Sequence, residues 1–285
     1  MIKDMLKLFI ENRKALAGVI ILGLFILMAL LAPLLAPYGP KQDSDEQGRF
    51  PLMAAPCDAH PLGTTNAGYD ILSQLIYGSR VTLTVGILTG LLTSFISLAV
   101  GLFSGYLKGA ADDVISFITN IFLVIPSLPL VIVVASYVPM RGVVPIIVVL
   151  SLTGWAWGAR VVRAQVMSVG EREFVKVAEV MGENSLVIVF REILPNIISL
   201  VMAIFFTSTI AAIIGEATLE FIGLGNVSTV TWGTMLFWAQ NNAALLMNAW
   251  WWFLPPGLGI GLLGTSFALM NFAIDEISNP KIRKR

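Results

Sequence analysis

The sequence predicts an all-α membrane protein with six transmembrane helices, on three observations. The chain of 285 residues is 56% hydrophobic and 13% charged, with a mean hydropathy of +0.83, whereas a soluble globular chain carries roughly 25% charged residues. Its uncharged runs have the length of membrane helices, not the ten-residue alternation of barrel strands. Lys and Arg are also unevenly shared between alternate loops, which sets an orientation. The same composition excludes other classes. A formal net charge of zero gives no general attraction for nucleic acid. Cys57 and His60 are each alone of their kind. An intrachain disulfide and a cysteine-built metal site are therefore ruled out, and a single Cys with a single His argues against a zinc enzyme or a thiol–imidazole hydrolase.

Residues 1–14 place Ile2, Met5, Leu6 and Phe9 on one helical face and Lys3, Lys7, Glu11 and Lys14 on another. That pattern predicts an amphipathic helix at the membrane surface. Ala15 to Pro40 carries no charge and forms the first span, too long for the apolar core of a signal peptide. Residues 41–79 follow as a polar loop rich in Pro and Gly. Together, 15–79 make a first span plus extracytoplasmic loop, and 80–285 the core membrane domain. In that core, Val81–Leu107 is the second span, its glycines predicting close helix packing. Val114–Met140 is the third, with Pro126 and Pro129 predicting a kink or a cavity wall. Gly142–Ala159 is the fourth, ending at Arg160 and Arg163, Asn196–Gly215 the fifth, and the sixth lies within Trp250–Ile274. Residues 223–248 are polar but uncharged, and read as a partly inserted loop or short helix on the far side. Asp70, Asp112, Asp113 and Asp275 read as surface or helix-end residues, and His60 and Cys57 as loop residues.

Six spans put both termini on one side. With that side cytoplasmic, fourteen of the Lys and Arg residues lie inside, and Lys41, Arg49, Arg80 and Arg141 lie outside. Trp155 and Trp157 then fall near the inner face and Trp250–Trp252 near the outer one, as interface anchors.

The stretch from Arg163 to Pro195 is a polar island in this apolar chain. Phe174, Val177, Ala178 and Met181 fall at i, i+3, i+4 and i+7, with Arg172, Glu173, Lys176, Glu179 and Glu183 on the other faces. Gly182 predicts a left-handed helix end. Ser185 predicts the cap of a second helix, Leu186–Glu192, which Pro195 stops. The result is two short helices with a glycine elbow on the cytoplasmic side, with Val177, Ala178 and Met181 as an apolar ridge.

Taken in order, these residues resemble a known family. Phe174 to Gly182, followed after ten residues by Ile193-Leu194-Pro195-Asn196, resembles the E-A-A-x3-G loop of binding-protein-dependent ABC importer permeases. His60-Pro61-Leu62-Gly63-Thr64 with Gly68-Tyr69-Asp70, and Leu75 to Arg80, are similar to the dipeptide/oligopeptide/nickel subfamily. So are Leu152 to Trp155, Arg160 to Arg163, Glu216 to Leu219, Phe221 to Gly225, and Trp232-Gly233. The match is nearest the C-type permease. Lys176 stands where the family has Glu, and Val177 where it has the first Ala.

The resemblance implies a type I ABC importer (MetI-like) permease fold in a prokaryotic plasma membrane, in which the loop is a coupling helix docking on a cytoplasmic ATPase. Lys176, Val177, Ala178, Met181, Gly182, Glu183, Leu194 and Pro195 are the coupling candidates. It also implies a homologous second permease, two ATPase subunits that bind the ATP and Mg, and an extracytoplasmic binding protein, with no cofactor, metal or catalytic residue in this chain. No phosphate-binding glycine–lysine loop is present. Peptides are the first substrate reading, oligosaccharides or nickel chelates the second. An ion-coupled secondary transporter using Glu216 and Glu220 is the competing class. For that pair a gate or packing role near the outer surface, capping polar groups of 223–248, is favoured over a substrate path. The acidic 41–60 loop, with Asp43, Asp45, Glu46 and Asp58, is a candidate contact for the binding protein.

Overall fold

The computed structural model describes residues 12–107 and 109–278, without the side chains of 277 and 278; the expected surface helix at 1–14 and the charged tail lie largely outside them. Asn12 caps the first helix, α1 (Arg13–Leu30), its side chain accepting from the Lys14 and Ala15 backbone N–H groups. A single helical turn, Ala32–Leu35, and a loop follow, with a hairpin of β1 (Ser44–Asp45) and β2 (Gly48–Arg49) in antiparallel register. Next come α2 (Ile71–Leu107), α3 (Ala110–Val124), α4 (Ser127–Tyr137) and α5 (Val143–Gly170). After the polar stretch, whose short α6 (Glu173–Val180) is described below, come α7 (Leu194–Phe221), α8 (Trp232–Asn241) and α9 (Trp250–Ser278). Among the described residues, five helices are long and apolar enough to cross a membrane, or six if α3 and α4 count as one broken span.

Several helices overrun the predicted spans because a charge does not end a helix when the protein itself supplies its partner. α2 starts at Ile71, ten residues before the uncharged run, and carries Arg80 within it. The Arg80 guanidinium donates to the carbonyls of Ala29 (2.5 Å) and Leu30 (3.1 Å), which α1 leaves unpaired at its end. Likewise α5 continues through Arg160 and Arg163 to Gly170, so the first eight residues of the polar stretch are helix, not loop. The third run breaks at Pro126, as predicted, and α3 and α4 meet at 95°.

α2 is the central post, packing most extensively on α5 and then on α7, while α1 lies along α9. The glycines of α2 make this possible. A Cβ at Gly101 would sit 2.7 Å from the Ala159 carbonyl oxygen, and one at Gly105 2.8 Å from Val166 Cβ. The tryptophans depart from the interface reading. Trp232 and Trp252 are among the largest fully buried side chains, and Trp155 is buried midway along α5 against Phe122. Trp157, Trp238 and Trp250 are the half-exposed ones. For the three buried tryptophans, protein packing takes up the aromatic area.

Candidate functional site

The polar stretch folds as two short arms. α6 turns Val175 and Ala178 inward, where they pack with Val166, Val169, Ile188 and Ile193. Its other side exposes Val177 (57%), Val180 (89%) and Met181 (76%). Ala178 therefore does not belong to the exposed ridge, which Val180 completes instead. At helical spacing Val175 and Ala178 make the inner stripe, and Val177, Val180 and Met181 the outer one. Phe174, Leu186 and Phe190 extend the exposed apolar surface. Lys176 lies between two carboxylates, 3.4 Å from Glu171 and 3.6 Å from Glu179.

Gly182 takes φ +77°, and the backbone closes as a Schellman turn, with Gly182 N–H donating to Glu179 and Glu183 N–H to Ala178. Glu183 itself is exposed. The cap of the second arm is Asn184, not Ser185: its side chain accepts from Leu186 N–H at 2.9 Å. Pro195 does not stop that arm either. The chain passes from Ser185–Val187 through a π-helical turn, Ile188–Ile193, directly into α7. Pro195 has no N–H to give the carbonyl four residues back and its ring crowds that carbonyl. The wider turn accommodates it, with Leu194 N–H donating to Val189 five residues earlier. Leu194, half-buried, packs against the inner stripe.

At the other end of α7, Glu216 and Glu220 are buried, at 0% and 3% exposure. Both carboxyls are thus enclosed by protein and not open to solvent. α7 runs two turns beyond Gly215, and the following segment folds back over it. Glu220 accepts from the Thr231 hydroxyl, and Thr231 and Thr234 form a capping box at the start of α8. This agrees with a carboxylate that caps polar groups of residues 223–248. Gly225 and Gly233 leave room for it; a Cβ on either would come within 3.0 Å of Glu220. Trp232 is held beside it, donating to the Leu75 carbonyl at 2.9 Å. Neither carboxyl oxygen of Glu216 has a hydrogen-bond partner among the described residues.

Two polar junctions were missed by reading charges as surface markers. Asp112 is buried and bidentate to Arg163 (2.7 and 2.6 Å), and also accepts from Ser104 and Ser116, so it ties α2, α3 and α5 together. His60 is buried between Tyr38 and Phe50, with Nδ1 3.0 Å from Asp70. Asp70 is a helix-end residue as expected, capping Ser73 N–H at 2.8 Å, but it is fully buried. The i, i+3 pairing of Ser73 with Asp70 was the available signal. Among the described residues no cluster of three His, Cys, Asp or Glu could hold a metal.

Residues 97–284 match the model of the binding-protein-dependent transport system inner membrane component, and residues 1–56 that of the N-terminal TM domain of oligopeptide transport permease C. The chain belongs to the binding-protein-dependent transport permease family. It is 34% identical over 285 residues to the dipeptide transport system permease protein DppC of Haemophilus influenzae, spanning 97% of this chain and 93% of that one. It is 30% identical over 283 residues to the oligopeptide transport system permease protein OppC of Bacillus subtilis, spanning 99% of this chain and 90% of the other. The di/tripeptide permease DppC of Pseudomonas aeruginosa is 30% identical over 289 residues, spanning 99% of this chain and 93% of that one. The protein is a multi-pass membrane permease subunit of an ABC importer and not itself an enzyme, which sets aside the ion-coupled secondary transporter.

Proposed function

We propose that this permease passes peptides across a prokaryotic inner membrane, with α6 and the 185–193 arm docking on a cytoplasmic ATPase. The observation that carries the docking reading is the exposed apolar face of Val177, Val180 and Met181 beside a fully packed inner stripe. A short helix with such a face, framed by Lys176, Glu179 and Glu183, suits a groove on a partner. The partners are a homologous second permease, two ATPases that bind ATP and Mg, and a binding protein on the opposite side. The Lys and Arg excess supports cytoplasmic termini. The peptide substrate follows the names of the relatives, with oligosaccharides and nickel chelates as the substrates to compete against it.

The role of Glu220 is to hold the α8 segment through Thr231, with Glu216 packed one turn earlier on the same helix, and not to carry protons. Reconstitution of the chain with its partner subunits in proteoliposomes tests the function. ATP-dependent uptake of a labelled dipeptide, reduced by unlabelled peptides and not by an oligosaccharide, is the expected outcome. Uptake that persists without ATPase subunits and falls when a proton gradient is collapsed would overturn it.

A further inference from the structure

Arg160 ends the uncharged run Gly142–Ala159 of α5. As helix that run spans about 27 Å, close to the ~30 Å of hydrocarbon in a bilayer. The guanidinium therefore stands at the edge of the apolar layer, on the side from which α6 projects. It is exposed, and its partner is neutral: Arg160 Nη2 donates to Asn120 Oδ1 on α3. Among the described residues Arg160 is in no ion pair. Both side chains line a pocket of about 330 Å³ between α2, α3 and α5, together with Arg163, Ser104, Ser116 and Thr119. The other polar groups there are largely committed. Arg163 is bidentate to Asp112, the Ser104 and Ser116 hydroxyls donate to that same carboxylate, and Thr119 donates to the Ile115 carbonyl at 2.8 Å. A guanidinium can only donate, so Asn120 turns its carbonyl to Arg160 and keeps its NH2 as a donor. What remains is a set of donors around one uncompensated positive charge. Asp113 is exposed and acts on Arg163, but it does not line the pocket and lies seven residues, about 10 Å, from Asn120 along α3. An apolar groove of about 410 Å³ shares Val100 with the pocket and runs between α2 and α3 past Phe103, Ile115, Ile118 and Trp155. No charged residue lines the groove.

We propose that the pocket binds the phosphate of an anionic glycerophospholipid, held by Arg160 and Asn120, with an acyl chain in the groove. Basic pockets between membrane helices at headgroup depth take such headgroups, and a charge-assisted hydrogen bond to phosphate is among the strong ones. A soluble phosphate offers the same anion without the chain; the adjoining groove favours the lipid. A phosphate bridging Arg160 and Asn120 adds a second tie between α5 and α3, one turn along α5 from the Arg163–Asp112 pair.

The test uses the assembled importer, delipidated in a neutral detergent and titrated with phosphatidylglycerol or with phosphatidylcholine of the same chains, whose choline cation cancels its phosphate. Retained lipid is counted by native mass spectrometry. Phosphatidylglycerol should bind about tenfold more tightly. Arg160→Gln removes the charge and keeps a donor for Asn120, and Asn120→Asp cancels the charge in place. Either should bring the ratio of the two affinities to about one, while Arg160→Lys keeps most of the preference; Asn120→Asp decides if the Arg160→Gln importer does not assemble. Equal retention of the two lipids by the unaltered importer, or a preference that survives the substitutions, overturns the site. Displacement of phosphatidylglycerol by an equal concentration of inorganic phosphate overturns the lipid as the source of the anion.

Discussion

At one end of the continuous helix from Ser185 to Phe221, apolar side chains stand exposed; at the other, two carboxyls are shut away. Beside that exposed end, α6 and its elbow carry Val177, Val180 and Met181 outward and keep Val175 and Ala178 for the core. The closed end has folded its own short helix, α8, over Glu220, with Thr231 as hydrogen-bond donor and Trp232 as cover. One end is complete in itself, and the other presents a face that another protein must cover. Substitutions at the exposed end should therefore change assembly and leave the fold alone, while those at the closed end should do the reverse.

The largest effect is expected at the exposed end. Val180→Asp combined with Met181→Asp should lower ATPase docking by about a hundredfold, near 3 kcal/mol for a buried apolar anchor. The thermal midpoint of the permease should not move; a lowered midpoint would show that this face packs internally. Next comes the closed end. Glu220→Ala leaves the Thr231 hydroxyl without its acceptor and should cost about 2 kcal/mol, read as a lowered midpoint and faster proteolysis at residues 223–231. Glu220→Gln keeps an acceptor and should recover most of that loss. Equal damage from both would mean that the charge, not the hydrogen bond, is what the site needs.

Smaller effects sharpen the boundary between the two ends. Gly182→Ala places a Cβ on a residue at φ +77° and should cost about 1 kcal/mol, seen as local hydrogen exchange in the elbow without change in α8. Lys176→Glu removes two surface ion pairs and should alter stability by under ~1 kcal/mol. A shift in docking larger than that would place an acidic partner group against Lys176. An unchanged affinity would leave its reversed charge with no part in choosing the ATPase.

Much of this was legible in the sequence because the membrane imposes simple rules. Apolar length marked the spans, Pro126 marked the break and Gly182 marked the elbow. The ends of the helices were not legible, since Arg80 and Arg163 find partners on other helices: the Ala29 carbonyl and the Asp112 carboxylate. Hydropathy counts such charges as boundaries. The burial of Glu216, Trp232 and Trp252 depends on how residues 223–249 fold back, which no local spacing encodes. The assignment of Ala178 to the exposed ridge failed for a narrower reason. Two apolar stripes interleave on α6, and only the packing of Val175 shows which one faces in.

The π-helical turn at Ile188–Ile193 gives the chain a mechanical character. Because that turn accommodates Pro195 just beyond it, the second arm runs on into α7, and Ser185–Phe221 is one helix of 37 residues, about 55 Å long. A helix transmits thrust along its axis with little compression. Along such a rod a displacement imposed near Asn184 would be carried to Glu220, where the α8 segment is fastened. The carboxyl at the far tip and the capping side chain at the near tip are the two bearings of a single shaft.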